Sequence, residues 1–474
     1  MPPREGAFRG QVVDLITNSA GINKATVVVY RGACNVASSP PPPDANAALR
    51  HGTVVHGSNA TPGRLNETKG SESDDDMGKL CLLVCAVSLL LAVVSSPESV
   101  LAASSPPPAR RRYGSIFSLG DSYADTGNGP VVFGWHSIAN PVMRPPYGST
   151  FFGRPTGRNC DGRLPIDFLA ESLGLPLVPP FLARSGTATF RRGANFAVGG
   201  ATALDASFFH RWDPPGGSVF PLNTSLGVQM QWFESLKPSL CATTKQCKEL
   251  FGRSLFFVGA FGANDYLLSL AAKSIDEVRS FVPDVVRNIS MAVERLIRHG
   301  ATTLVVPGVI PVGCAPPVLV TFADPDPAGY DPRTGCLKAI NDLAAHHNAL
   351  LQDALRELQA KQRPAGAVTV VYADFFRPVI EMVTSPAKFG FEDVLTLCCG
   401  GPGRFHYNKQ VFCGDPGAIR CRDPSARLFW DGVHLTEAAY RHVAAGWLSS
   451  IESPRSAGAG TNRTAPTATV EFPC

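Results

Sequence analysis

The sequence predicts an α/β domain of three layers, with helices on both faces of a mostly parallel sheet. Three observations predict it. Short apolar runs of strand character recur between longer amphipathic stretches. The stretch 275–374 reads helix, strand, helix, strand, and that order calls for right-handed crossovers and parallel pairing. The residues with chemical potential, Ser122, Gly200 and Asn264, each follow a predicted strand, where open α/β sheets gather their ligands.

The domain does not begin at residue 1. Residues 1–76 contain SSPPPPDANAA and SESDDD and sustain no helical or strand period. They read as a disordered stretch or an extension of the gene model. At Met77 the character changes to MGKLCLLVCAVSLLLAVVSSPESVLAASS. A lysine, an apolar run and a small-residue ending over 77–103 make the pattern of a secretory signal peptide. The apolar run 80–94 reaches about 23 Å as a helix at ~1.5 Å per residue, short of a ~30 Å hydrocarbon core. The expectation is therefore initiation at Met77, secretion to the extracellular space or cell wall, and no stable membrane anchor. The domain is expected over 104–452, with a flexible tail at 453–474.

Within the domain each element has its own justification. SIFSL at 115–119 is the first strand, ANFAV at 194–198 a short second and SLFFVG at 254–259 the third. TTLVVPG at 302–308 and VTVVYAD at 368–374 complete the set. Helices are predicted at 275–299, 336–361 and 436–451. In the first of these, Val278, Val282, Val285, Val286, Ile289, Val293, Leu296 and Ile297 trace one apolar face. The segment 129–192 is rich in Gly, Pro and Arg and reads as a long loop forming one wall of a site.

Composition narrows the function. Of 474 residues 44% are hydrophobic, enough for a sizeable core, and the net charge of +4 is too small to argue for nucleic acid. Ten cysteines follow the signal segment: Cys160, Cys241, Cys247, Cys314, Cys336, Cys398, Cys399, Cys413, Cys421 and Cys474. In a secreted chain they favour disulfides, and Cys241 lies near enough to Cys247 to close a short loop. A zinc reading of the 398–421 cluster lacks a CxxC pair, so no metal is expected. Sequons stand at Asn223, Asn288 and Asn462.

Taken singly, the candidate residues have plain explanations. Ser122 in FSLGDSYADTGN could cap a helix, and Gly199-Gly200 in NFAVGGATALD could be a turn. Asn264-Asp265 in FGANDY could be a turn or cap, and Asp431 and His434 in WDGVHLTEAAYRHVA an acidic cap beside a surface histidine. His346 and His347 fall in a helix, and His136, His210 and His406 in loops without ligand spacing. The order and placement of the blocks say more than any one of them. A hydroxyl, a glycine pair and an amide reach one sheet edge, and an acid and an imidazole arrive just before the last helix.

FSLGDSYADTGN, NFAVGGA, GAND and DGVHLTEAAY, in that order, resemble four sequence blocks of the GDSL esterase/lipase family of SGNH hydrolases. PPYGSTFFGRPTGR, GCLKAINDLAAHHNALL and FCGDPGAIRCRDPS resemble its plant branch. The resemblance implies the SGNH hydrolase fold, a three-layer sandwich on a flavodoxin-like sheet. It implies Ser122 as nucleophile, Asp431 and His434 as the rest of the triad, and Ser122, Gly200 and Asn264 as oxyanion donors, with no cofactor. Tyr123 stands where the family name has leucine, and Ala124 rules out the GxSxG elbow of α/β-hydrolases. The expected substrate is a carboxylic ester. Acetyl esters of wall polysaccharide come first, because arginines and aromatics of 129–192 could line a sugar groove. Lipid or phenolic esters, or acyl transfer to another acceptor, are the alternatives. A non-catalytic carbohydrate-binding protein on the same fold is the reading from another class.

Overall fold

The computed structural model describes residues 112–183, 190–212, 223–362 and 368–452. The expected signal segment (77–103), the residues before it, the expected tail (453–474), Asn462 and Cys474 lie outside the described residues. Five parallel strands form the sheet, in the order β2-β1-β3-β4-β5. They are β1 Ser115–Leu119, β2 Gly193–Asn195, β3 Ser254–Val258, β4 Thr303–Pro307 and β5 Thr369–Ala373. The chain runs outward from β1 in one direction and then the other, so a switch point lies between β1 and β3.

Side chains alternate between two buried faces, as the pleat requires. Leu255 and Phe257 of β3 enter one core with Ile116, Val305 and Val371, covered by Pro165–Ser172, Phe376–Thr384 and Glu437–Glu452. Phe256 and Val258 enter the other with Phe117 and Leu304, covered by Leu226–Leu240, Val282–His299 and Lys338–Lys361. This is the expected three-layer α/β/α sandwich. Its second core is strongly aromatic: Phe117, Phe233, Phe251 and Phe256 meet with ring centroids 5.3 to 6.0 Å apart.

Three expectations change. The helix expected at 275–299 is two helices, Ile275–Arg279 and Val282–His299. Pro283 is the cause, since it has no N–H to donate and is tolerated only in a first helical turn. The second strand is shorter than 194–198, although Phe196 N and Val198 N still donate to Ser118 O (2.7 Å) and Gly120 O (3.1 Å). Segment 129–192 is not simply a loop: it holds helices Gly129–Trp135 and Pro165–Ser172. Two of its arginines are held in buried ion pairs, Arg158 with Asp167 (2.8 Å) and Arg163 with Glu437 (2.8 Å), while Arg154, Arg191 and Arg192 are exposed.

Among the described residues four disulfides join Cys241–Cys247, Cys314–Cys336, Cys398–Cys421 and Cys399–Cys413, and Cys160 is buried and free. The cluster 398–421 is thus a pair of disulfides rather than a set of metal ligands. Asn223 is exposed, whereas Asn288 is partly buried and donates to Ala203 O at 3.2 Å.

Candidate active site

The turn carrying Ser122 begins where β1 leaves the sheet. Gln229, from helix Leu226–Leu240, grips Gly120 on both sides of its main chain. The Gly120 N–H donates to Gln229 Oε1 (2.9 Å), and Gln229 Nε2 donates to Gly120 O (2.8 Å). Asp121 then does the capping: its Oδ1 accepts from Tyr123 N (3.0 Å), and its carbonyl accepts from Ala124 N and Asp125 N. Ser122 is buried. Among the described residues its hydroxyl makes no hydrogen bond and its N–H donates to no protein acceptor.

The glycine pair is set beside it by Asp125. This buried carboxylate accepts from Gly127 N (2.8 Å), Asn128 N (2.7 Å), Gly129 N (2.8 Å) and Gly199 N (2.8 Å). A Cβ on Gly199 would lie 3.8 Å from Ser122 Cβ, so the two turns touch. Gly200 follows at φ +83°, a conformation that favours glycine, and its N–H has no protein acceptor among the described residues. Burial pushes the Asp125 carboxyl up to about 6 against those four donors.

Asn264 arrives from the turn after β3, at the start of helix Ala263–Ser269. Its Nδ2 donates to Ala201 O (2.9 Å) and makes a long contact with Asp121 Oδ2 (3.4 Å). Its neighbour Asp265 is fully buried and accepts from Ala203 N (2.9 Å) and Leu204 N (3.0 Å). That ties the glycine turn to the Asn264 turn. Burial pushes both Asp121 and Asp265 up to about 7.

Asp431 and His434 occupy the tip of a small hairpin. Phe429 bridges Leu435 in antiparallel fashion, Trp430 N donates to His434 O (2.8 Å), and His434 N donates to Asp431 O (2.8 Å). His434 Nδ1 meets Asp431 Oδ1 at 2.6 Å. Burial lowers the affinity of the His434 ring for its proton, but the charge and hydrogen bond of Asp431 outweigh burial and leave the pKa raised. The second carboxylate oxygen, Oδ2, accepts a hydrogen bond from the Tyr147 hydroxyl. Tyr123, next to Ser122, reaches this hairpin: its hydroxyl donates to Val433 O (3.0 Å), and its ring meets that of His434 at 5.7 Å. Among the described residues His434 Nε2 has no hydrogen bond, to Ser122 or elsewhere. Bonds of that kind are commonly long before substrate enters. The hairpin is backed by Cys398 and Cys399, whose N–H groups donate to Phe429 O (2.9 Å) and Trp430 O (2.8 Å).

All five residues expected at the site therefore lie around one sheet end. Sequence reasoning did not single out Gln229, Asp125 or Tyr147, and it read Asp265 only as part of a turn or cap with Asn264. Asp125 had a local signal, because Asp-x-Gly is an Asx-turn pattern. Gln229 and Tyr147 had none, since each meets its partner from 109 and 284 residues away.

The fold and this site define a class, the hydrolases that carry a serine at the end of the first strand of a parallel sheet. Comparison with known proteins narrows it. Residues 116–447 match the family model of the GDSL-like lipase/acylhydrolase. A GDSL esterase/lipase of Arabidopsis thaliana is 45% identical over 345 residues, covering 71% of this chain and 91% of that protein. Another from the same plant is 43% identical over 342 residues, covering 72% and 85%. The sinapine esterase of Brassica napus is 42% identical over 345 residues, covering 72% and 86%. The chain belongs to the plant GDSL esterase/lipase family and is a carboxylic ester hydrolase.

Proposed function

We propose that Ser122 attacks the ester carbonyl, that His434 takes its proton, and that Asp431 orients the imidazole and stabilises the imidazolium. A serine hydroxyl is a weak nucleophile until a base removes its proton, and Nε2 of His434 is the free ring nitrogen for that task. The N–H groups of Ser122 and Gly200 and Nδ2 of Asn264 then receive the oxyanion. One observation carries the reading most. Two main-chain N–H groups with no acceptor among the described residues, Ser122 and Gly200, flank a hydroxyl whose neighbouring tyrosine is bonded to the Asp431–His434 hairpin. Asn264 already gives one N–H to Ala201 O, and the long contact to Asp121 leaves its other N–H able to turn to the substrate. His434 returns the proton to the departing alcohol. Water, deprotonated by the same ring, then cleaves the acyl-Ser122 ester and releases the acid. All these groups come from the chain itself, so the reading requires no cofactor.

The test is labelling with a serine-directed organophosphonate. It should modify Ser122 alone in the folded protein, and label on another residue overturns the assignment.

For the substrate we favour a small aromatic ester, on the strength of the relative named sinapine esterase. Acetylated wall polysaccharide stays the alternative: Arg158 and Arg163 are buried in ion pairs, but Arg154, Arg191 and Arg192 of the same segment are exposed. Turnover of sinapine, acetylated xylan, a phospholipid and chromogenic esters of graded chain length decides among them, and xylan as the best substrate would reverse the preference. We further propose secretion after cleavage near Ala103. N-terminal sequencing of the secreted protein that finds residues 1–76 would contradict it. Among the described residues no helix is long and apolar enough to cross a membrane.

A further inference from the structure

Tyr147 belongs to a segment with no chemistry of its own in the reading above, the PPYG stretch of 129–192. That segment is pinned on both sides. Arg144 pairs with Asp415 at 2.8 Å, on the loop between the paired cysteines. Beyond the tyrosine, Gly148 N donates to Cys160 O (3.0 Å) and Thr150 N to Asp161 O (2.8 Å). Gly148 sits at φ +71°, and a Cβ there would run into the carbonyl of Arg154, so the chain turns sharply straight after Tyr147. The Tyr147 ring is buried among Val142, Cys398, Cys399, Cys413 and Trp430, edge-on to the Trp430 indole at 5.9 Å.

Its hydroxyl ends on Oδ2 of Asp431, while His434 uses Oδ1. A carboxylate bonded through one oxygen can swing about its Cβ–Cγ bond, a torsion with a broad well. Bonded through both, its plane is fixed. Burial first, and then the charge of Asp431, raise the Tyr147 pKa, so the group stays protonated and keeps donating.

We propose that Tyr147 is a positioning residue for ester hydrolysis: its hydroxyl holds the Asp431 carboxylate so that Oδ1 stays aimed at Nδ1 of His434. This rests on Asp431 and His434 acting as the acid–base pair. It gives the PPYG stretch a function in the reaction without contact with the substrate.

Tyr147→Phe keeps the ring against Trp430 and removes only the hydroxyl. With a short-chain chromogenic ester, kcat should fall about 10- to 100-fold with KM nearly unchanged, the scale of one hydrogen bond to a charged group. The melting temperature and near-ultraviolet circular dichroism of the variant establish that it is folded. The decisive comparison repeats the substitution in an Asp431→Ala background. A residue that works through Asp431 has nothing left to position, so no further loss should follow. A wild-type kcat in folded Tyr147→Phe overturns the proposal. So does an equal further loss without Asp431, which would make the tyrosine a packing residue. A wild-type rate in Asp431→Ala alone would instead defeat the acid–base reading itself, and Tyr147 with it.

Discussion

Ser122, Gly200 and Asn264 stand at the ends of three neighbouring parallel strands, whereas Asp431 and His434 sit on one hairpin near the far end of the domain. The two halves are held by different means. On the Ser122 side, buried polar side chains grip main-chain groups: Gln229 holds Gly120, Asp125 holds four N–H groups, and Asp265 holds two. On the other side the Asp431–His434 hairpin leans on Cys398 and Cys399, both disulfide-bonded, and on Tyr147. One half of the site is thus held by buried polar side chains, and the other is backed by disulfide-bonded cysteines and a long-range contact.

The sharpest way to break the comparison is to remove the group on which both halves converge. Ser122→Ala should leave a folded protein with turnover reduced by on the order of 10⁴ or more, and His434→Ala should be about as severe. The double variant should be no worse than either single one, and additive losses in a steady-state assay would show that the two do not act together. On the Ser122 side, Asn264→Ala should lower kcat by roughly 10²–10³ with a smaller change in KM, the mark of a donor used in the transition state. A rise in KM at unchanged kcat would remove Asn264 from that role.

The disulfides sharpen the contrast further. Replacing Cys399 and Cys413 by serine opens a loop of 14 residues and should cost about 3 kcal/mol, against about 2 kcal/mol for the 6-residue loop of Cys241–Cys247. Denaturant unfolding measures those costs, and activity separates the cases. At equal fraction folded the first variant should lose turnover and the second keep it. The smallest effect is in pH. A general base must be neutral, and Asp431 raises the His434 pKa, so kcat/KM should fall on acidification from above the ordinary imidazole value. Asp431→Asn leaves burial as the main influence on the ring. The surviving activity should then extend to lower pH, and an unmoved acid limb would mean that another group sets it.

The same division explains what could be read from the sequence. The strands and the residues after them were legible because apolar runs and the turns that end them are local signals. SIFSL matches β1 residue for residue. Asp431 and His434 were marked by the DGVHLTEAAY block before the last helix, and their roles only by the resemblance of that block to the family. The break at Pro283 was visible as a residue, but its effect was hidden by an apolar period that continues through it. The grip of Gln229 on Gly120 and of Tyr147 on Asp431 left no trace, because each is one polar residue whose partner is defined only once the chain has folded.

The bond from the Tyr123 hydroxyl to Val433 O closes a span of 310 residues. It also has a meaning in time. On the proposed mechanism, Ser122 emerges early in synthesis and its base, His434, almost last, so for most of translation the chain would carry a nucleophile with nothing to activate it. Esterase activity should then appear in a single late step, when the last helix docks and the hairpin closes over Tyr123, and a nascent chain stalled before residue 431 should be silent in an assay on the ribosome.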